Sequence, residues 1–155
     1  MISNATPLIC LAKINQLEIL KKLFTFIIVP ESVKKEILVK GKAGYFAISK
    51  AIEENWIKIV DPKENIDLGL GDGENSAINL AKEMKDKLII DDAYAIKVAQ
   101  AFNIEIIRTT TAIFMAVKKN IITKKQAISF INKLIDVGYY ISPGYYSALL
   151  SELSS

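Results

Sequence analysis

The chain contains no histidine. That absence excludes Ser-His and Cys-His nucleophilic pairs, His-ligated zinc and the commonest general base. Its single cysteine, Cys10, rules out an internal disulfide. Lying in the apolar run Leu8 to Leu11, it reads as a small buried hydrophobe rather than a nucleophile. No uninterrupted apolar run is long enough to cross a bilayer. The N-terminus lacks the basic stretch followed by an apolar segment that marks a secretory signal. A cytoplasmic protein with no membrane partner is therefore expected. Repeats, low-complexity tracts and linkers are missing as well. No Gly-x-Gly-x-x-Gly follows a strand-like run and no Gly-Lys-Ser/Thr occurs, so Gly69 to Gly73 does not read as a nucleotide-binding loop. Hydrolytic chemistry in this chain must use carboxylates, lysine or a metal held by oxygen.

What remains describes one folded domain over residues 1–155, with 51% hydrophobic and 24% charged residues. The net charge of +3 is compatible with nucleic acid without being a strong signature of it. Short β-like runs alternate with segments of helical period. Strands are expected at Met1 to Ser3, Phe26 to Val29, Trp56 to Val60, Lys87 to Ile90 and Ile104 to Ile107. Thr6-Pro7 reads as a helix cap followed by an N1 proline. Further helices are expected from about Leu17, Ser32, Gly44, Gly73, Ala93, Thr111, Lys124 and Pro143. This alternation predicts an α/β fold with a parallel sheet and right-handed crossovers, whose ligands bind at the carboxyl ends of the strands.

Four places at those ends carry polar side chains. Asn4 is either a turn residue or, with Thr6 taking the cap, a side chain left free. Glu36 reads most simply as an exposed helical glutamate paired with Lys40. Glu74 complements a helix dipole behind a cap at Asp72, yet its neighbouring glycines point to a tight turn or a close approach. Asp91-Asp92 is the most informative pair, because adjacent carboxylates repel unless a cation or a donor intervenes. Oxygen ligands alone suit Mg²⁺ or Mn²⁺.

Several stretches, in order, resemble the PIN-domain family. They are Ser3-Asn4-Ala5-Thr6-Pro7-Leu8-Ile9, Val29-Pro30 through Glu36-Ile37, Leu70-Gly71 through Glu74 with Ala77, and Leu88 through Asp92 with Ala99. Ile107-Arg108-Thr109-Thr110, followed by Ala116-Val117-Lys118, completes the set. Within the family they resemble the branch with an Asn-Thr-Ser-Pro-like first motif. The resemblance implies a three-layer PIN-like fold, a central parallel sheet flanked by helices, and Mg²⁺- or Mn²⁺-dependent cleavage of RNA. It also implies, as in many members, a toxin with a small antitoxin protein as partner, and a homodimer. By position, Asn4 stands at the first acid of the family, Glu36 at the second, Glu74 at the acid of the middle helix and Asp92 at the next. Asp91 is its helper, and Thr6 is the small hydroxyl residue of the first motif. The late acid of many members falls at Thr109 or Thr110. Asn4 keeps a carbonyl ligand but removes a charge, which favours one ion over two. Two functions follow: an active endoribonuclease, or a catalytically weak module that binds RNA or a protein. Lys13 and Lys97 are candidates for holding a phosphate, and Tyr139, Tyr140, Tyr145 and Tyr146 for a self-association surface.

Overall fold

Five short, largely apolar segments become the strands, and their side chains are buried or half-buried except for Lys58, which is exposed. In the computed structural model, which describes all residues 1–155, these are β1 (Ile2–Ser3), β2 (Ile27–Val29), β3 (Ile57–Ile59), β4 (Leu88–Ile89) and β5 (Ile106–Ile107). Ile2, Ile27, Val29, Leu88 and Ile89 are fully buried, as expected of a parallel sheet covered on its faces by helices. Every pairing is parallel, and the strand order is β3-β2-β1-β4-β5.

Nine helices flank the sheet in a three-layer arrangement. They are α1 (Ala5–Lys13), α2 (Glu18–Phe24), α3 (Glu31–Ile37), α4 (Tyr45–Glu53), α5 (Asp72–Met84), α6 (Ala93–Ala101), α7 (Thr109–Lys118), α8 (Lys124–Asp136) and α9 (Pro143–Ser154). One apolar core of 42 buried residues runs through both sides of the sheet, from Ile2 to Leu153. No helix is long and apolar enough to cross a membrane.

The order of the strands decides where a ligand could bind. The chain builds β1, β2 and β3 outward in one direction, then returns to lay β4 on the other side of β1. The switch point is therefore the gap between the carboxyl ends of β1 and β4, the place where such sheets leave a crevice. The residues that follow these two strands are Asn4 and Ile90-Asp91-Asp92. Backbone hydrogen bonds tie them together: Asn4 donates its N–H to Ile89 O at 2.9 Å.

The expected elements are all present, with differences at three helix starts. The cap position of α1 is Asn4, in extended backbone with no side-chain cap bond; Thr6 is an exposed residue of the first turn. In α5 the cap is Gly71, and Asp72 is already helical. Finally, α7 starts at Thr109 rather than Thr111. Its first N–H is satisfied from a distance, because Thr109 N donates to Asp91 Oδ1 at 2.9 Å. A carboxylate from the neighbouring strand end performs the cap, so no local capping residue is required.

The long connection between β3 and α5 is also held by side chains. Asn75 and Asn79, both buried on α5, donate to Asn65 Oδ1 and to Ile66 O, and Asn75 Oδ1 accepts from Leu68 N. These amides satisfy backbone groups that a buried loop would otherwise leave unpaired. They fix the loop against the first turns of α5, beside Glu74.

Candidate functional site

Asn4 sits at the end of β1, 6% exposed, and its Oδ1 is buried with no hydrogen-bond donor. An amide oxygen stripped of water and left without a partner is costly, about 1–3 kcal/mol. It is the one such buried side-chain atom in the chain.

Glu36 lies in the last turn of α3, which follows β2. Because α3 ends at Ile37, Lys40 lies beyond the helix, and the expected Glu36–Lys40 pair does not form. Glu36 instead faces α5. A Cβ added at Gly73 would collide with Oε1 of Glu36 and lie 3.4 Å from Cγ2 of Val33. Gly73 is thus a close-approach glycine: it lets α3 bring its carboxylate against the start of α5.

Glu74 follows in the first turn of α5, half-buried. Burial raises its pKa, and the charges of Asp92 and then Glu36 raise it further. Glu36 is raised too, first by burial and then by Asp72. Glu74 therefore lies in a field of like charge from Asp92 and Glu36. None of these acids has a salt-bridge partner.

Asp92 and Asp91 have separate tasks. Asp92 caps α6, its Oδ2 accepting from Ala95 N at 2.9 Å, and it is exposed. Asp91 turns toward β5 and the C-terminal helices. Its Oδ1 accepts from Thr109 N and from the Tyr139 hydroxyl, and its Oδ2 accepts from Thr109 Oγ1 at 2.7 Å. Both oxygens are committed inside the protein, so Asp91 anchors the strand end. Burial and then the charge of Asp91 push the Tyr139 hydroxyl's pKa well above its ordinary value; it stays a donor.

The remaining expectations are placed as follows. Thr109 is bound to Asp91, and Thr110 Oγ1 shares a 2.8 Å hydrogen bond with the Tyr145 hydroxyl. Neither buried hydroxyl faces the acids freely. Lys13 is in the last turn of α1, roughly 13 Å along the helix from Asn4 at 1.5 Å per residue. Lys97 is exposed in mid-α6. Of the four tyrosines, Tyr139 is bonded to Asp91, Tyr145 to Thr110 and Tyr146 to Asn132, which leaves Tyr140, 83% exposed, uncommitted.

Two open cavities reach the acids. One, of about 590 Å³, is lined by Glu36 with Ser32, Lys35, Asp61, Asn65 and Asp72. The other, of about 470 Å³, is lined by Asp92 with Thr6, Asp91, Arg108, Tyr139 and Tyr140. Glu74 lines neither cavity, though it feels the charges of both Asp92 and Glu36. Three features escaped the sequence reading: the reason for Gly73, the Tyr139–Asp91 bond and Arg108. The last was signalled, since Arg108 is the only arginine beside many lysines and directly follows a strand.

The fold is a parallel α/β sheet whose switch point is flanked by Asn4 and the Asp91-Asp92 pair. A family model described as a PIN domain matches residues 1–155, and the chain belongs to that family. PIN domains are in general nucleases that use divalent metal ions. Neither a search of curated proteins nor one of solved structures returned a match.

Proposed function

We propose that this PIN domain hydrolyses RNA phosphodiester bonds with the help of one Mg²⁺ or Mn²⁺ ion. The observation that carries the reading is that Glu74 feels the charges of both Asp92 and Glu36 while none of the three has a salt-bridge partner. The buried Asn4 Oδ1, lacking any donor, adds a neutral oxygen ligand at the same switch point. An all-oxygen donor set fits a hard divalent ion. No three acidic or thiol side chains form a ready-made cage, so water would complete the shell around Asn4, Glu36, Glu74 and Asp92. When bound, such an ion neutralises phosphate charge and makes water acidic enough to attack near neutral pH.

The chain's own groups do the rest. Asp92 is oriented by Ala95 N, which leaves its other oxygen without a protein partner. Asp91, fixed by Thr109 and Tyr139, keeps the end of β4 in place. With no histidine in the chain, the proton of the attacking water must pass to a carboxylate or to solvent.

The test is cleavage of single-stranded RNA with Mn²⁺, by the wild type, Asp92→Asn and Glu74→Gln. Loss of at least a hundredfold in both variants, on the order of a general acid–base contribution, is expected. Full activity in both would remove the carboxylate mechanism. We place the chain in the branch with the Asn-Thr-Ser-Pro-like motif, acting in the cytoplasm as a toxin restrained by a small antitoxin protein. Growth arrest on induction, absent for Asp92→Asn, is the expected sign. A homodimer is also proposed, and sedimentation checks it.

A second reading is a catalytically weak module that binds RNA or a protein. It is favoured by the amide at Asn4, by Thr109 and Thr110 being bonded elsewhere, and by the absence of a ready-made cage. Under it, Asn4→Asp creates or greatly raises metal-dependent cleavage. Under the first reading that variant changes activity only modestly.

A further inference from the structure

The cavity on the Asp92 side contains features that the acid cluster does not use. Arg108 is the only arginine in the chain. It caps α7 with its backbone at the carboxyl end of β5. Its side chain makes no ion pair and no hydrogen bond, and the guanidinium lies 6.0 Å from the centre of the Tyr145 ring. A planar cation held over an aromatic ring is pre-oriented, and its fork of donors matches a phosphate. Tyr140 lines the same cavity and is 83% exposed, with no ring partner inside the protein. An exposed aromatic ring beside a cation is the pairing that holds unstacked bases and their backbone. Asp91, which also lines the cavity, has both carboxylate oxygens bonded to Thr109 and Tyr139, so neither is free to pair with Arg108.

We infer that the cavity between Asp92, Arg108 and Tyr140 is a nucleotide subsite for single-stranded RNA, in which Arg108 holds a backbone phosphate and Tyr140 stacks on the adjoining base. This rests on the proposed ribonuclease reading and extends it by naming the strand's path. The phosphate held by Arg108 adjoins the one attacked at the acids, because Asp92 belongs to both places. The cavity of about 470 Å³ is of the size that one nucleotide fills. Arg108→Lys keeps the charge but loses the planar fork. Tyr140→Phe keeps the ring, and Tyr140→Ala removes it from a position too exposed to matter for folding.

The experiment measures the affinity of a short unstructured oligoribonucleotide for the full chain in chelator, by fluorescence anisotropy, with a duplex of the same sequence as competitor. The Mn²⁺-induced shift in melting temperature is recorded for each variant in parallel. Arg108→Lys and Tyr140→Ala are each expected to weaken RNA binding about tenfold, within the range of a lost stacking or bidentate contact. Tyr140→Phe retains affinity, the duplex competes poorly, and the Mn²⁺ shift is unchanged throughout. Unchanged RNA affinity in both Arg108→Lys and Tyr140→Ala overturns the subsite while leaving the ribonuclease reading intact. Binding that depends on Arg108 and Tyr140 without any cleavage by the wild type supports the subsite and counts against the nuclease. A wild type that binds no RNA overturns both.

Discussion

Gly73 shows how a single hydrogen atom in place of a side chain shapes this site. Helix interiors ordinarily disfavour glycine against alanine by about 1 kcal/mol, yet here a Cβ would occupy the space of the Glu36 carboxylate. The atom displaced is the end of a flexible side chain, so Gly73→Ala should keep the fold and its melting temperature near the wild-type value. It should nevertheless push Glu36 away from Glu74 and weaken Mn²⁺ binding severalfold, measured by calorimetric titration. Unaltered Mn²⁺ affinity would remove Glu36 from the site. Glu74 makes the complementary case. Its half-buried charge is raised in pKa by burial, by Asp92 and by Glu36, so it opposes folding while the site has no cation. Glu74→Gln should raise the melting temperature in chelator by up to roughly 3 °C, since the group is half-exposed and screened. The same variant should lose the stabilisation by Mn²⁺, which is about 2.7 kcal/mol for an intact site at a hundredfold excess over the dissociation constant. Asn4, Glu74 and Asp92 were readable as candidates because each lies just past a strand or at a helix start, whereas Glu36, in the last turn of α3, was reached only through the family resemblance. The use of Gly73 was not, since it depends on how closely α3 and α5 pack.

Between elements, the Asp91 carboxylate joins three of them: the end of β4, the start of α7 through Thr109, and the segment entering α9 through Tyr139. Tyr145 on α9 adds a second tie, to Thr110. Tyr139→Phe removes one donor from a partly buried carboxylate and should destabilise the chain by about 1–3 kcal/mol, read from chemical denaturation. Thr109→Val takes away the other side-chain donor and should cost a similar amount, with less than the sum in the double variant because both serve one oxygen pair. Additivity would show that the two bonds act separately. This network explains why the start of α7 was misplaced by two residues. Its cap is Asp91, distant in sequence, and no local pattern announces it. The same holds for α1, where Thr6-Pro7 has the look of a cap but the chain enters the helix at Asn4. Strand and helix identities, by contrast, follow from apolar periodicity and were legible throughout.

At the scale of the molecule, the strand order β3-β2-β1-β4-β5 sets Asn4, which follows β1, beside the Asp91-Asp92 pair, which follows β4. The parallel class could be read from the alternation of strands and helices, but that adjacency follows from topology. The proposed site carries an opposite pH dependence with and without metal. Glu36 and Glu74 have native pKa values raised above their ordinary ones, so the native state binds these protons more tightly than the unfolded chain. The stability linked to them is present below the ordinary glutamate range and is lost as pH rises through the raised native values. In chelator these two groups should therefore make the protein gain stability as pH falls through that window, and Glu74→Gln should flatten the trend. With Mn²⁺ the sign reverses, because the ion requires the ionised carboxylates and its stabilising effect fades as they protonate. Thermal melts across mildly acidic and neutral pH check both arms. The most direct measurement is anomalous diffraction from a crystal soaked in Mn²⁺. A single peak in the crevice between β1 and β4, touching Asn4 Oδ1 and carboxylate oxygens of Glu74 with Glu36 or Asp92, is the predicted result. A manganese peak elsewhere, with those side chains apart and unliganded, would contradict the account.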